Sequence, residues 1–247
     1  MAQRWTIPQP LAMDWPFKPL SSAQTSVARL SNGQLELTIK HDLLRGVTRE
    51  MLSWWFRRID GTMVYHGRRV PRYRVWHPRD HIFYRDLTRD AEGLGGARTR
   101  RQIVEAFAEN PSYLVNIVDR VAHLDEDGIL LVTERAGLSL GRLRTPLLPL
   151  PGEVSTLQHW FIAAPTGTRY ESRMLVGSDS LLGRLLLNRY VLPRVAMPEA
   201  MGRAWLRHNV EEVGNFERFL PALFAEWTER GETAFGVGDR QVTVKAR

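Results

Sequence analysis

The chain has 247 residues, 43% apolar and 25% charged, with 34 Lys+Arg against 27 Asp+Glu for a net charge of +7. That balance belongs to a globular protein with one generous core or two small ones. There is no cysteine, which excludes disulfides, thiolate nucleophiles and every Cys-based zinc or iron–sulfur site; any metal must be held by His, Asp or Glu.

Residues 1–20 contain Pro8, Pro10, Pro16 and Pro19 and no apolar leader core, which argues against a secretory signal and for a cytoplasmic location. No apolar run of about 18 residues is present, so no membrane span is predicted. Residues 1–30 read as an extended N-terminal arm and 31–247 as a single domain. Leu35–Lys40 alternates apolar and polar residues, the period of a half-buried strand. Residues 46–56 predict a helix capped by Thr48, with Met51, Leu52, Trp55 and Phe56 as its apolar stripe.

The middle of the chain reads as β-rich. Residues 73–77 alternate and predict a strand ended by Pro78, followed by a short run at 81–84. Further strands are predicted at 101–107, 114–124, 129–133, 157–163 and 168–176, with Asp125 to Gly128 supplying one turn. The last third turns helical, at 180–191 and then 198–230. In the second of these, Ala204, Trp205, His208, Glu212, Phe216, Phe219 and Leu220 recur at steps of three and four. The class predicted is α+β: a curved antiparallel sheet wrapped on a long C-terminal helix, with a small-molecule cavity between them.

Several motifs carry less. The arginines at 68, 69, 72 and 74 and at 98, 100 and 101 fit an electropositive face, but no nucleic-acid module accompanies them and no nucleic-acid partner is expected. Ser178-Asp179-Ser180 lacks the G-x-S-x-G elbow of a serine hydrolase. Gly93-Leu94-Gly95-Gly96 lacks the lysine of a phosphate loop and reads as a turn or lid.

One group of residues does suggest chemistry. His208 and Glu212, four apart, project from one helix face, and they do so on the apolar stripe beside Trp205 and Phe216. A carboxylate facing the core is costly unless it is paired or bound to a metal. Glu105 lies within an apolar strand, pointing opposite Val104. His81 follows Asp80, itself suited to orienting a ligand. Two His and two Glu would neutralise a divalent cation, most plausibly Zn²⁺.

Three blocks in this order are distinctive: Gly46-Val47-Thr48-x-Glu50-Met51-Leu52-x-Trp54-Trp55-Phe56, Tyr73-x-x-Trp76-x-Pro78-x-Asp80-His81, and His208-x-x-x-Glu212-x-x-x-x-Glu217-x-x-Leu220-Pro221. They resemble the 2,4-diacetylphloroglucinol hydrolase and phloretin hydrolase family. The resemblance implies a helix-grip catalytic domain related to START and polyketide-cyclase domains. It also implies zinc held by His81, Glu105, His208 and Glu212, with Glu109 and His77 as alternatives to Glu105 and His81. The implied reaction is hydrolysis of a carbon–carbon bond between an acyl group and an aromatic or enolisable carbon. The implied partner is a small aromatic or polyketide-like substrate held by Tyr73; Tyr84 is a further candidate contact, and Trp54, paired with Trp55 on a helix, either flanks the substrate ring or packs in the core.

The sequence departs from the family pattern where a histidine is expected after Leu140-Gly141-Arg142, and at Tyr84, where an amide is expected. Candidates for the missing proton donor are His159, Tyr84 and His77. A non-catalytic hydrophobic-ligand carrier or metal-free cyclase-like protein using the same cavity is the competing expectation. A homo-oligomer is compatible with the sequence.

Overall fold

The computed structural model describes residues 5–137, 139–140, 143–150 and 152–230. Gly141 and Arg142, on which part of the family departure falls, lie outside the described residues. The strands are β1 (Gln24–Arg29), β2 (Leu35–Lys40), β3 (Leu44–Arg45), β4 (Thr62–Tyr65), β5 (Arg68–Pro71), β6 (His81–Asp86) and β7 (Arg100–Ala106). They continue with β8 (Leu114–Leu124), β9 (Gly128–Gly137), β10 (Ser139–Leu140), β11 (Leu143–Arg144), β12 (Leu148–Pro149), β13 (Ser155–Ala164) and β14 (Gly167–Val176). The helices are α1 (Arg49–Arg58), α2 (Arg72–Trp76) and α3 (Glu199–Arg230), with a π-helical segment at Gly183–Ala196.

One antiparallel sheet runs in the order β1-β2-β14-β13-β9-β8-β7-β6, with β3 and β12 as side pairs. Its concave face grips α3. The helix's N-terminal half, through Met201, Trp205, Leu206 and Val210, packs on Leu35, Leu37 and Ile39 of β2. Its C-terminal half, through Val213, Phe216, Phe219 and Leu220, packs on β8, β9 and the helix α1. This is the α+β sheet-on-helix architecture the periodicity predicted and the helix-grip fold the resemblance implied. Of the predicted arm, Gln24–Arg29 pairs with β2 as an edge strand of the sheet.

Local signals explain most elements. Thr48 caps α1, its Oγ1 accepting from Met51 N at 3.2 Å. Gly128 lies where β9 crosses β13, and a Cβ there would overlap the His159 carbonyl, so glycine permits the close approach that places His159.

Three readings differ from the structure. Residues 73–77, predicted as a strand, form the helix α2 and its cap. Pro71 ends the β4–β5 hairpin because it cannot donate to a ladder, and it is tolerated at a helix start. That hairpin was not predicted; its turn is His66-Gly67, both at positive φ (50° and 70°), as a two-residue type I′ turn requires. The segment read as helical at 180–191 is helical, but over Gly183–Ala196 it is wound as a π-helix. It is pinned by Asn188, whose Oδ1 accepts from Ser178 N and whose Nδ2 donates to Asn32 O and Ser178 O, each at 2.9 Å.

Phe216 is fully buried and touches the rings of Trp55, Trp76 and Tyr170. Truncating it opens a cavity where α3 meets both α1 and the sheet. Phe216→Ala is expected to cost about 3–5 kcal/mol, read from urea unfolding.

Candidate metal centre and cavity

A cavity of about 50 Å³ lies between α3 and the sheet. At one end, α2, β6, β7 and α3 bring His81, Glu105, His208 and Glu212 together. His81 Nε2 lies 3.2 Å from Glu212 Oε2 and 3.5 Å from Glu105 Oε1. His208 Nε2 lies 3.7 Å from Glu105 Oε2 and 3.7 Å from Glu212 Oε2. Ligand atoms of His81, His208 and Glu212 all fall within 4.8 Å of one another.

Each imidazole is oriented from behind. His81 Nδ1–H donates to the Tyr73 carbonyl at 2.7 Å, and His208 Nδ1–H donates to Asp80 Oδ2 at 3.0 Å. Both bonds leave Nε2 as the inward-facing atom, the arrangement by which outer partners set a metal-binding tautomer. His81 Nε2 is buried with no hydrogen-bond partner. Four groups on a tetrahedron with ligand bonds near 2.0–2.2 Å would stand about 3.3–3.6 Å apart, and the observed spacings bracket that range. The residues fit a divalent cation.

Burial and the neighbouring charges set the protonation pattern. Burial pushes Glu212 up from 4.5 to about 8, with Glu105 adding like-charge repulsion. Glu105 is likewise raised by burial. Burial alone would lower His208, but Glu212, Asp80 and Glu105 outweigh it and bring it to about 9. Burial and the neighbouring His208 hold His81 well below its usual range. Asp80, although burial opposes it, is held at about 2 by its bond to His208.

Of the alternative ligands, Glu109 stands elsewhere, whereas His77 forms with Asp80 and His208 a second group of ligand atoms within 4.8 Å of one another. Glu109 has a 43% exposed side chain, 3.9 Å from Arg79. His77 sits behind His208, ring centroids 4.5 Å apart, and bonds Glu211 at 3.1 Å. Of the proposed substrate contacts, Tyr73 lines the cavity, stacks on His81 at 3.7 Å and donates its hydroxyl to Glu105. Tyr84 also lines it, 5.1 Å from Tyr73 ring to ring. Trp54 does not: it turns to the other side of α1, against Phe224 and Trp227, because the helix's apolar face is wide enough for two packing directions.

Of the proton-donor candidates, His159 and Tyr84 line the cavity. His159 is fully buried and neutral, its pKa lowered by burial to about 3. His159 Nδ1 and His41 Nε2 both reach Ser172 Oγ, at 2.9 and 3.1 Å. Sequence reasoning missed Arg101 and Trp205 as lining residues. Arg101 was detectable, since it shares the Glu105 face of β7 by period two.

The family described as DAPG hydrolase PhiG domain matches residues 20–116. Phloretin hydrolase of Eubacterium ramulus is 26% identical over 194 residues, covering 73% of this chain and 64% of that protein. The resemblance to the diacetylphloroglucinol and phloretin hydrolases holds. This chain thus spans just under two thirds of the curated relative's length. Among solved structures, protein Ms6760 from Mycobacterium smegmatis is 14% identical with a TM-score of 0.43, covering 77% of this chain and 95% of that one. A protein from Rhodobacter sphaeroides is 10% identical with a TM-score of 0.41, covering 77% and 97%. The matched family segment contains Tyr73, His81 and Glu105; His208 and Glu212 lie beyond it.

A group with a raised folded pKa stabilises the fold below its unfolded value and loses that contribution as pH rises through the folded one. For His208 the window is 6.5 to about 9, and for Glu212 it is 4.5 to about 8. The lowered histidines, His81 and His159, act only below 6.5. The Tm of chelator-treated protein is therefore expected to fall between pH 6.5 and about 9, and Glu212→Gln to flatten that fall, as followed by circular dichroism melts.

Proposed function

We propose that this chain is a zinc-dependent hydrolase that cleaves a carbon–carbon bond between an acyl group and a phenolic or otherwise enolisable carbon. The observation that carries the reading is the set of four N···O spacings among His81, Glu105, His208 and Glu212, from 3.2 to 3.7 Å. The names of its relatives, phloretin hydrolase and DAPG hydrolase, supply the substrate class. Zinc bound by these four residues would supply Lewis acidity, polarising a carbonyl or lowering the pKa of a water.

The protein's own groups do the rest. Overall, water adds across the bond: oxygen goes to the acyl carbon, the carbon–carbon bond breaks, and its electron pair leaves with the ring carbon, which then takes a proton. Tyr73, anchored to Glu105, offers a fixed phenol at the cluster end of the cavity. Trp76 and Phe56 give the ring an apolar wall and exclude water. His159 and Tyr84 line the cavity and are the candidate proton donors; His159 is bonded through Ser172 Oγ to His41. His77, held by Glu211 behind His208, positions the ligands. Among the described residues no helix is long and apolar enough to cross a membrane.

Protein purified without chelator is expected to hold about one zinc per chain by elemental analysis and to release acid from acylphloroglucinols or β-diketones. His208→Ala and Glu212→Ala should lose both metal and acid release, and Asp80→Asn should weaken metal binding about 10–100-fold. Retained ligand uptake without acid release by the metal-loaded wild type would favour the carrier reading instead.

A further inference from the structure

At the end of the cavity away from the histidines lies a guanidinium that the metal-centred reading leaves unused. Arg101 lines the cavity and is 1% exposed. Its Nη2 donates to Gly95 O at 2.7 Å and, more weakly, to Phe56 O at 3.4 Å. Its Nε is buried with no partner. Arginine carries five N–H donors in a planar fork, so a role confined to fastening the Gly95 loop would leave most of them idle.

Around Arg101 stand Asp86 on β6 and Asp119 on β8, both drawn electrostatically to it, and Tyr84. Asp86 gives its Oδ1 to Tyr84 at 3.3 Å, and Asp119 is bonded to Thr133. Burial pushes both carboxyls up to about 6. Neither makes ion-pair contact with Arg101. A buried guanidinium without a contacting anion is costly, and the arrival of one lowers that cost.

The geometry also sets a distance. Arg101 and Glu105 share one face of β7, about 13 Å apart along the strand. Between them runs a floor of rings: Arg101 lies 5.6 Å from the Tyr84 ring, Tyr84 5.1 Å from Tyr73, and Tyr73 3.7 Å from His81. That separation along the strand exceeds the width of one aromatic ring. A ring whose acyl group faces the histidines would turn a ring oxygen toward Arg101.

We propose that Arg101 is the anion-holding residue of this cavity, taking the charged oxygen of a phenolate or enolate, so that the ligands preferred are acidic phenols and 1,3-dicarbonyl compounds in their anionic form. The inference rests on the proposed hydrolase reading and adds to it. When the carbon–carbon bond breaks, the electron pair left on the ring carbon is shared with the ring oxygens until a proton reaches the carbon. A cation fixed at such an oxygen stabilises that state more than the neutral ketone, which is how a preformed charge speeds a reaction.

The test uses 4-nitrophenol, whose phenol and phenolate forms differ in absorption and which has no acyl group to lose. On wild-type holoprotein the midpoint of its ionisation when bound is expected to fall by about one pH unit or more, a tenfold preference for the anion. Arg101→Gln should return the midpoint to that of the free probe, and Arg101→Lys should leave it between the two. The proposal is overturned if the wild type takes up no phenolate, if its midpoint matches the free probe, or if folded Arg101→Gln keeps the wild-type value. Should Arg101→Gln not fold, Arg101→Lys decides, a midpoint equal to the free probe's counting against the proposal. Failure to release acid from acylphenols would weigh on the hydrolase reading alone, because the probe undergoes no cleavage.

Discussion

Two carboxylates and two imidazoles share one buried pocket, and that electrostatic constraint organises what surrounds it. Glu105 and Glu212 cannot both ionise there without a compensating positive charge. In the cation-free protein His208 supplies it, which is why this histidine titrates above its usual range while its neighbour His81 titrates below. A proton on His208 neutralises only part of the cluster, whereas a divalent cation neutralises both carboxylates and frees both imidazoles to act as lone-pair donors. The spacing of the four side chains suits the second arrangement.

Asp80 ties this pocket to the fold. Its carboxylate accepts from His208 on α3 and from the backbone N–H groups of Ala108 and Glu109 just beyond β7, at 3.0 and 2.9 Å. Ala108 and Glu109 adopt φ of 56° and 55°, conformations that cost non-glycine residues on the order of 1 kcal/mol or more each. Charge-assisted bonds to a carboxylate that stays ionised offset that strain. The same backbone excursion carries the Glu109 side chain out toward Arg79. One buried aspartate thus orients a ligand, shapes the end of β7 and leaves Glu105 as the carboxylate facing the histidines.

Much of this was legible in the sequence, for physical reasons that differ between elements. The helix α3 is long enough for its 3.6-residue period to be unambiguous, so His208 and Glu212 could be placed on its buried face. The strand β7 has a clear period of two, which put Glu105 inward and, followed two pleats back, would have put Arg101 there as well. Five residues cannot separate the two periods, and α2 was misread for that reason: Tyr73, Val75 and Trp76 are buried, a pattern compatible with either. Trp54 illustrates a different limit. Its burial was foreseeable, but its partners Phe224 and Trp227 lie some 170 residues away, and a sequence window holds no record of which wall a buried ring will meet. The contacts of Asp80 with Ala108 and Glu109 are of the same kind, formed by backbone that no side-chain pattern marks.

The cavity's size bears on what it can admit. At about 50 Å³ it has room for a few waters, each needing roughly 10–15 Å³, and organic ligands occupy pockets of about 300–1,000 Å³. Side chains must therefore give way for an organic ligand to enter. The polar end has little freedom: Tyr73 is stacked on His81, His208 is bonded to Asp80, and Glu212 is held by Asn209 at 2.6 Å. Ile103 and Leu157, by contrast, are only partly buried and their side chains have no polar atom to hold them. Displacement falls on that apolar wall, which costs dispersion contacts but breaks no polar bond. The four clustered side chains are thus held in place while the shape of the cavity is set by the apolar wall, so substitutions along that wall can change which ligand fits without disturbing the cluster.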